Sequence, residues 1–425
     1  MPRSSFLLLA AAAVLCLAHG PARASNCAGT SMGLIPLTDL GTGTYQGYQG
    51  GLYAGGSNHR PPAHDAAGVS IATALAPLDT LGQPDPVNGR FVLISIGMSN
   101  ATMEFSAFVP KAMNYTARHP KLVAIDCAKG GQTAHAIADP GAAYWDTVAT
   151  RLRGHGSSPL QVQAVWIKEA NAGPTGGFPT ATDALEADLG SVVRTLHQKL
   201  PNVKLAYLTS RIYAGYATTS LNPEPYAYES GFAVKWLIDA QVNGVDSLNY
   251  DPAQGPVEAP WLAWGPYLWA DGLVGRADSL KWTCDEFVTS DGTHPSTLGR
   301  QVVADSLLEF FSHDEATVPW FLAGPLAVES SAPGVALAVG PNPAAGTVTV
   351  SFTPRAGESW RLEVLDPAGR RVRALASGVG QGAVVRCRWD GRDDTGARLA
   401  AGVYWVQLAS SSSASTRRVV LLRGE

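Results

Sequence analysis

Four short, almost wholly apolar runs constrain the fold of this chain more than anything else in it: residues 91–96 (FVLISI), 122–125 (LVAI), 162–167 (VQAVWI) and 203–208 (VKLAYL). A run with no polar face suits a strand covered on both sides, as in a parallel sheet between helices. The intervening sequence carries the complementary period. In residues 183–200, Leu185, Leu189, Val192, Val193, Leu196 and Leu200 form one stripe. Asp183 is the expected N-cap with Glu186 three residues on, and Pro201 stops the helix. Further helices are expected over 229–241 and 297–311. The alternation predicts a three-layer α/β/α domain.

The ends of the chain read differently. Arg3 precedes an apolar run at 6–18, and Ala22-Arg23-Ala24 fits a small-residue cleavage rule, so residues 1–24 read as a secretory signal peptide. No second stretch is long and apolar enough to span a bilayer, and the reading is an exported or cell-surface protein. Cys27, Cys127, Cys284 and Cys387 then remain in an oxidising compartment, where disulfides are possible and spacing does not reveal the pairing. Residues 25–86, rich in Gly, Tyr, Pro and Thr, read as an irregular leader on a domain reaching residue 322. Residues 323–340 are mostly Ala, Gly, Pro, Ser and Val and read as a linker. Beyond it, 347–352, 360–365, 384–389 and 403–408 alternate apolar and polar residues between turn signals, which predicts a small antiparallel β-sandwich over 341–425. The net charge of -4, with no basic run, gives nucleic-acid binding no electrostatic support. No His, Cys or carboxylate spacing suggests a metal, and no cofactor is expected.

Ligands of a parallel α/β sheet bind at the carboxyl ends of its strands. Three polar or glycine-rich segments fall there, and a fourth lies on a later loop. Gly97-Met98-Ser99-Asn100 follows the first strand and Lys129-Gly130-Gly131-Gln132-Thr133 the second; Lys168-Glu169-Ala170-Asn171 follows the third; Asp291-Gly292-Thr293-His294 precedes the last helix. A serine hydroxyl needs an imidazole to take its proton and a carboxylate to hold that imidazole in the useful tautomer. Ser99, His294 and Asp291 supply the three groups, and Gly131 allows a backbone N–H to approach a developing oxyanion.

In order and placement these blocks resemble the SGNH or GDSL hydrolase superfamily over roughly residues 89–321. The serine followed by Asn, and the glycine block followed by Thr, are closer to its sialate O-acetylesterase and acetylxylan esterase branch. The resemblance implies a flavodoxin-like fold and acyl-enzyme chemistry on carbohydrate acetyl esters. It also implies Ser99 as nucleophile, His294 as base, Asp291 as its partner, and Gly131 beside the Ser99 amide as oxyanion donors. The third block departs from the pattern: the family's Asn position falls on Ala170 and the acetylesterase Gln position on Lys168. The remaining oxyanion donor is therefore expected at Asn171, or else at Lys168. An acetylated polysaccharide or another ester is the expected substrate. A non-catalytic glycan-binding or adhesive surface protein, and a lipid-directed esterase, are the other readings of the same fold.

Aromatic residues crowd the region before the last block. Tyr213, Trp264 and Trp269 are candidate stacking surfaces for sugar rings, with Asn100 as a further substrate contact. In the tail, Pro341-Asn342-Pro343, the segment from Trp389 to Gly396 and Ala401-Gly402-Val403-Tyr404 resemble the FlgD-type immunoglobulin-like fold and the C-terminal sorting domain of type IX secretion. That resemblance implies contact with secretion machinery or the cell surface. Asp390, Asp393 and Asp394 suit a hairpin turn better than a calcium site.

Overall fold

A computed structural model describes residues 24–323, 337–342, 344, 346–366, 369–410 and 414–422. All but Ala24 of the expected signal peptide and most of the expected linker lie outside the described residues. The chain divides into two compact units at Ala323/Gly324.

The first unit is built on five parallel strands: β1 (Phe91–Gly97), β2 (Leu122–Ile125), β3 (Val162–Lys168), β4 (Leu205–Leu208) and β5 (Trp261–Trp264), in the order β2-β1-β3-β4-β5. Every residue of β1, β3, β4 and β5 is buried, which is why these runs lack polar alternation. The principal helices are α1 (Pro62–Ala74), α2 (Ser99–Asn114), α3 (Ala143–Gly154), α4 (Thr180–Lys199), α5 (Tyr226–Val242) and α6 (Thr297–His313). The expected stripe on α4 is buried at Leu185, Leu189, Val192, Val193 and Leu196. Its start is a correction: the helix begins at Thr180, so Asp183 lies in the first turn and is not the cap.

Residues 261–264, in the aromatic-rich region before the last block, form the edge strand β5, and α1 lies inside the leader expected to be irregular. The leader is also stapled to the body of the domain by the Cys27–Cys284 disulfide, leaving Cys127 buried and Cys387 partly buried as free thiols.

The second unit is an Ig-like pair of antiparallel sheets. Its strands are β6 (Ala338–Gly340), β7 (Val348–Phe352), β8 (Ser359–Leu365), β9 (Arg371–Val379), β10 (Val385–Trp389), β11 (Gly402–Ser410) and β12 (Ala414–Leu421). They form sheets β9-β8-β11-β12 and β10-β7-β6, with one core between them that includes Val350, Leu362, Val364, Trp389, Val406 and Val419. Asp393 Oδ1 accepts from the backbone of Thr395 and Ala397, each at 2.9 Å, so this carboxylate shapes a turn.

Candidate functional site

Ser99 is placed by backbone packing where β1 meets α2. A Cβ on Gly97 would lie 2.4 Å from the Lys168 carbonyl and 2.5 Å from Ala101 Cβ, so only glycine lets β1 turn so tightly into the helix. Ser99 therefore stands at the first position of α2, whose unpaired N–H groups favour negative charge nearby. The next residue ties this corner to the Asp-His loop: buried Asn100 donates from Nδ2 to the Thr293 carbonyl at 3.1 Å.

That loop is fixed from three directions. A Cβ on Gly292, whose φ is 59°, would meet the Tyr216 carbonyl at 1.9 Å. The Thr218 N–H donates to the Asp291 carbonyl at 3.0 Å. The N-terminal segment lies alongside, with Ser25 N–H donating to the Thr289 carbonyl at 2.7 Å, Asn26 N–H to the Tyr216 carbonyl at 2.9 Å, and the disulfide at Cys284. So held, His294 Nε2 lies 2.8 Å from Ser99 Oγ and His294 Nδ1 lies 2.9 Å from Asp291 Oδ2. The other carboxylate oxygen accepts backbone N–H bonds from Thr293 at 2.8 Å and His294 at 3.0 Å. Partial burial pushes the Asp291 carboxyl up, but these donors and the imidazole outweigh it and hold the group below the ordinary carboxylate range. An ionised Asp291 at Nδ1 selects the tautomer with its proton there and leaves Nε2 free to accept from Ser99 Oγ.

The turn after β2 borders the same serine: a Cβ on Gly130 would lie 3.7 Å from Ser99 Cβ, and Gly131, at φ 77°, has open space around it. Lys129 N–H donates to the Gly97 carbonyl at 2.8 Å. Asp126 anchors the base of the turn, accepting from Ser95 Oγ at 2.5 Å, from Thr102 Oγ1 and from Ser106 Oγ at 3.0 Å. Neither Asp126 nor its hydroxyl partners stood out in the sequence, because the partners are spread over β1 and α2 with no local spacing.

The third block needs correction. Lys168 is committed to another partner: its ammonium is wholly buried against Glu104 of α2, with Nζ 2.6 and 2.7 Å from the two carboxylate oxygens. Burial lowers Lys168 to about 8 and raises Glu104, while the contact between them acts in the opposite sense on each. Asn171 is likewise engaged elsewhere. Its Oδ1 accepts from His135 N–H at 3.0 Å and its Nδ2 donates to Asp188 Oδ2 at 2.7 Å, pinning the turn to its neighbours.

The expected sugar contacts are corrected as well. Trp264, Trp269 and Tyr213 are buried, none of them more than 2% exposed. Their polar tips are taken by the Leu52 carbonyl, Glu224 Oε1 and the Gly29 carbonyl, each at 2.7 Å, so these aromatics pin irregular loops to the core. Asn100, expected as a substrate contact, is buried, and its amide braces the Asp-His loop. Among the described residues no group of three or more His, Cys, Asp or Glu could hold a metal, and no helix is long and apolar enough to cross a membrane.

Residues 340–414 match the FlgD Ig-like domain family. No curated protein matches the chain. Among solved structures, dimeric latent PorU from Porphyromonas gingivalis is 21% identical over 23% of this chain and 10% of its own, with a TM-score of 0.20. FlgD from Xanthomonas campestris is 25% identical over 20% of this chain and 64% of its own, at 0.16. A carbohydrate acetylesterase from Xanthomonas citri is 10% identical over 77% of this chain and 80% of its own, at 0.28. The chain thus spans one tenth of the first and under two thirds of the second, and all three likenesses are low in identity and TM-score.

Proposed function

We propose that the chain is an exported serine esterase of the SGNH type that removes O-acetyl groups from carbohydrate. The observation that carries the reading is the continuous hydrogen-bonded series Ser99 Oγ, His294 Nε2, His294 Nδ1 and Asp291 Oδ2, with links of 2.8 and 2.9 Å. Ser99 Oγ attacks the acyl carbon as its proton passes to His294 Nε2, and Asp291 stabilises the imidazolium that forms. Negative charge develops on the carbonyl oxygen, at the first turn of α2 and beside Gly131. The Ser99 and Gly131 amides are assigned as its donors. Collapse of the tetrahedral adduct breaks the ester C–O bond, and the imidazolium protonates the departing sugar oxygen. Water, deprotonated by the same imidazole, then attacks the acyl-serine; the second adduct breaks its bond to Ser99 Oγ, the imidazolium returns the proton to Oγ, and acetate leaves.

The FlgD-type tail and the N-terminal apolar segment support export, with the tail serving attachment or recognition by secretion machinery. The test is acetate release from p-nitrophenyl acetate and from acetylated xylan. Ser99→Ala and His294→Ala are each expected to lose nearly all activity, and the double variant to be little worse than either, because the two side chains act as one proton-transfer unit. A wild-type protein inert on every ester tested would reject the reading.

A further inference from the structure

The first turns of α4 and α5 border a small space that the chemistry above does not use. Its walls include Asn171, Thr182, Leu185, Asn222, Tyr226 and Glu229. Three of these carry a polar atom without a protein partner: Thr182 Oγ1, Asn222 Oδ1 and Glu229 Oε2. The three residues are only 2%, 5% and 2% exposed. Their other polar atoms are committed. Glu229 Oε1 accepts from the Tyr45 hydroxyl at 2.8 Å, and Asn222 Nδ2 donates to the Asn171 carbonyl at 3.2 Å, which assigns the remaining amide oxygen as the unpaired atom. A buried polar atom left unpaired is destabilising. Three around one space call for an occupant.

Size and hydrogen-bond count identify it. The space in which a water oxygen could be centred is about 10 Å³, close to the least that holds one water and too small for an organic ligand. The amide oxygen only accepts, an ionised carboxylate only accepts, and a hydroxyl can donate. A water offers two donors and an acceptor, which matches that set. A divalent cation takes roughly six or more oxygens and would find three unpaired ones here.

We infer that a single tightly held water bridges Thr182, Asn222 and Glu229. It links the first turn of α4 to the first turn of α5, and through Asn222 to the Asn171 turn that leaves β3. The inference stands apart from the esterase reading, since none of its groups belongs to the Ser99 series.

A high-resolution crystal structure of the full chain, with Thr182→Val alongside, tests it. The expected result is one isolated peak within about 2.7–3.2 Å of all three atoms, weakened or absent in Thr182→Val, and a melting temperature about 2–4 °C lower for that variant. An empty space, side chains that close it by pairing directly, or a peak ringed by five or more oxygens near 2.4 Å, as for a cation, would each overturn the assignment. So would a Thr182→Val variant with the peak and melting temperature unchanged.

Discussion

Lys168 shows how one residue type at one strand end can carry two opposite meanings. From the sequence it stands beside the nucleophile, where an ammonium could face an oxyanion; in the fold its side chain runs under α2 to Glu104 and is wholly buried. Removing one member of a buried pair strands the other charge, at a cost of about 3–5 kcal/mol, whereas replacing both with apolar residues is often neutral or stabilising. Lys168→Ala is therefore expected to lose stability of that order in denaturant unfolding. The Lys168→Met, Glu104→Leu double variant should recover most of it, with kcat near wild type. A Lys168→Ala protein of wild-type stability whose kcat falls a hundredfold would return the lysine to the oxyanion. The Ser99, His294 and Asp291 groups were legible as types in sequence order, because each block sits beside a strand or helix that can be read. The partners of Lys168 and Asn171 were not, since they lie 64 residues back in α2 and 17 residues on in α4.

At the scale of elements, the strands and helices with a strong period could be read before the structure, and those whose burial comes from tertiary contact could not. β1 and β3 announce themselves as apolar runs, whereas β5 is four residues of Trp, Leu and Ala whose strand character depends on pairing with β4. α1 has little amphipathic contrast, and its buried face is His64, Gly68 and Ala72. The aromatics around β5 suggest a binding face in the sequence because their size is visible there and their depth is not. The leader, which carried no functional signal, gains one from its position. Its Cys27–Cys284 bond and the Ser25 and Asn26 backbone contacts brace the loop that carries Asp291 and His294. Cys27→Ser is expected to lower the melting temperature by several degrees and to lower kcat more than it raises KM, because the loop's alignment suffers before substrate binding does. Full activity with the melting temperature unchanged would show that the hydrogen bonds alone hold the loop.

On the scale of the whole molecule, all the candidate chemistry lies in the unit ending at Ala323, and the Ig-like unit has its own core. Removing residues 340–425 is expected to leave kcat/KM on a soluble ester within about twofold of wild type, while export or surface retention fails. A truncated protein that folds, as judged by circular dichroism, yet cannot turn over would mean that the tail contributes to the site.

The central claim is that Ser99 is an activated nucleophile. Intact-protein and peptide mass spectrometry after exposure to a fluorophosphonate probe reads this directly, because such probes form a bond only with a hydroxyl whose proton a base can take. The expected result is a single adduct on Ser99, absent in Ser99→Ala and strongly slowed in His294→Ala. An unmodified wild-type protein, or an adduct on any other serine, would contradict it.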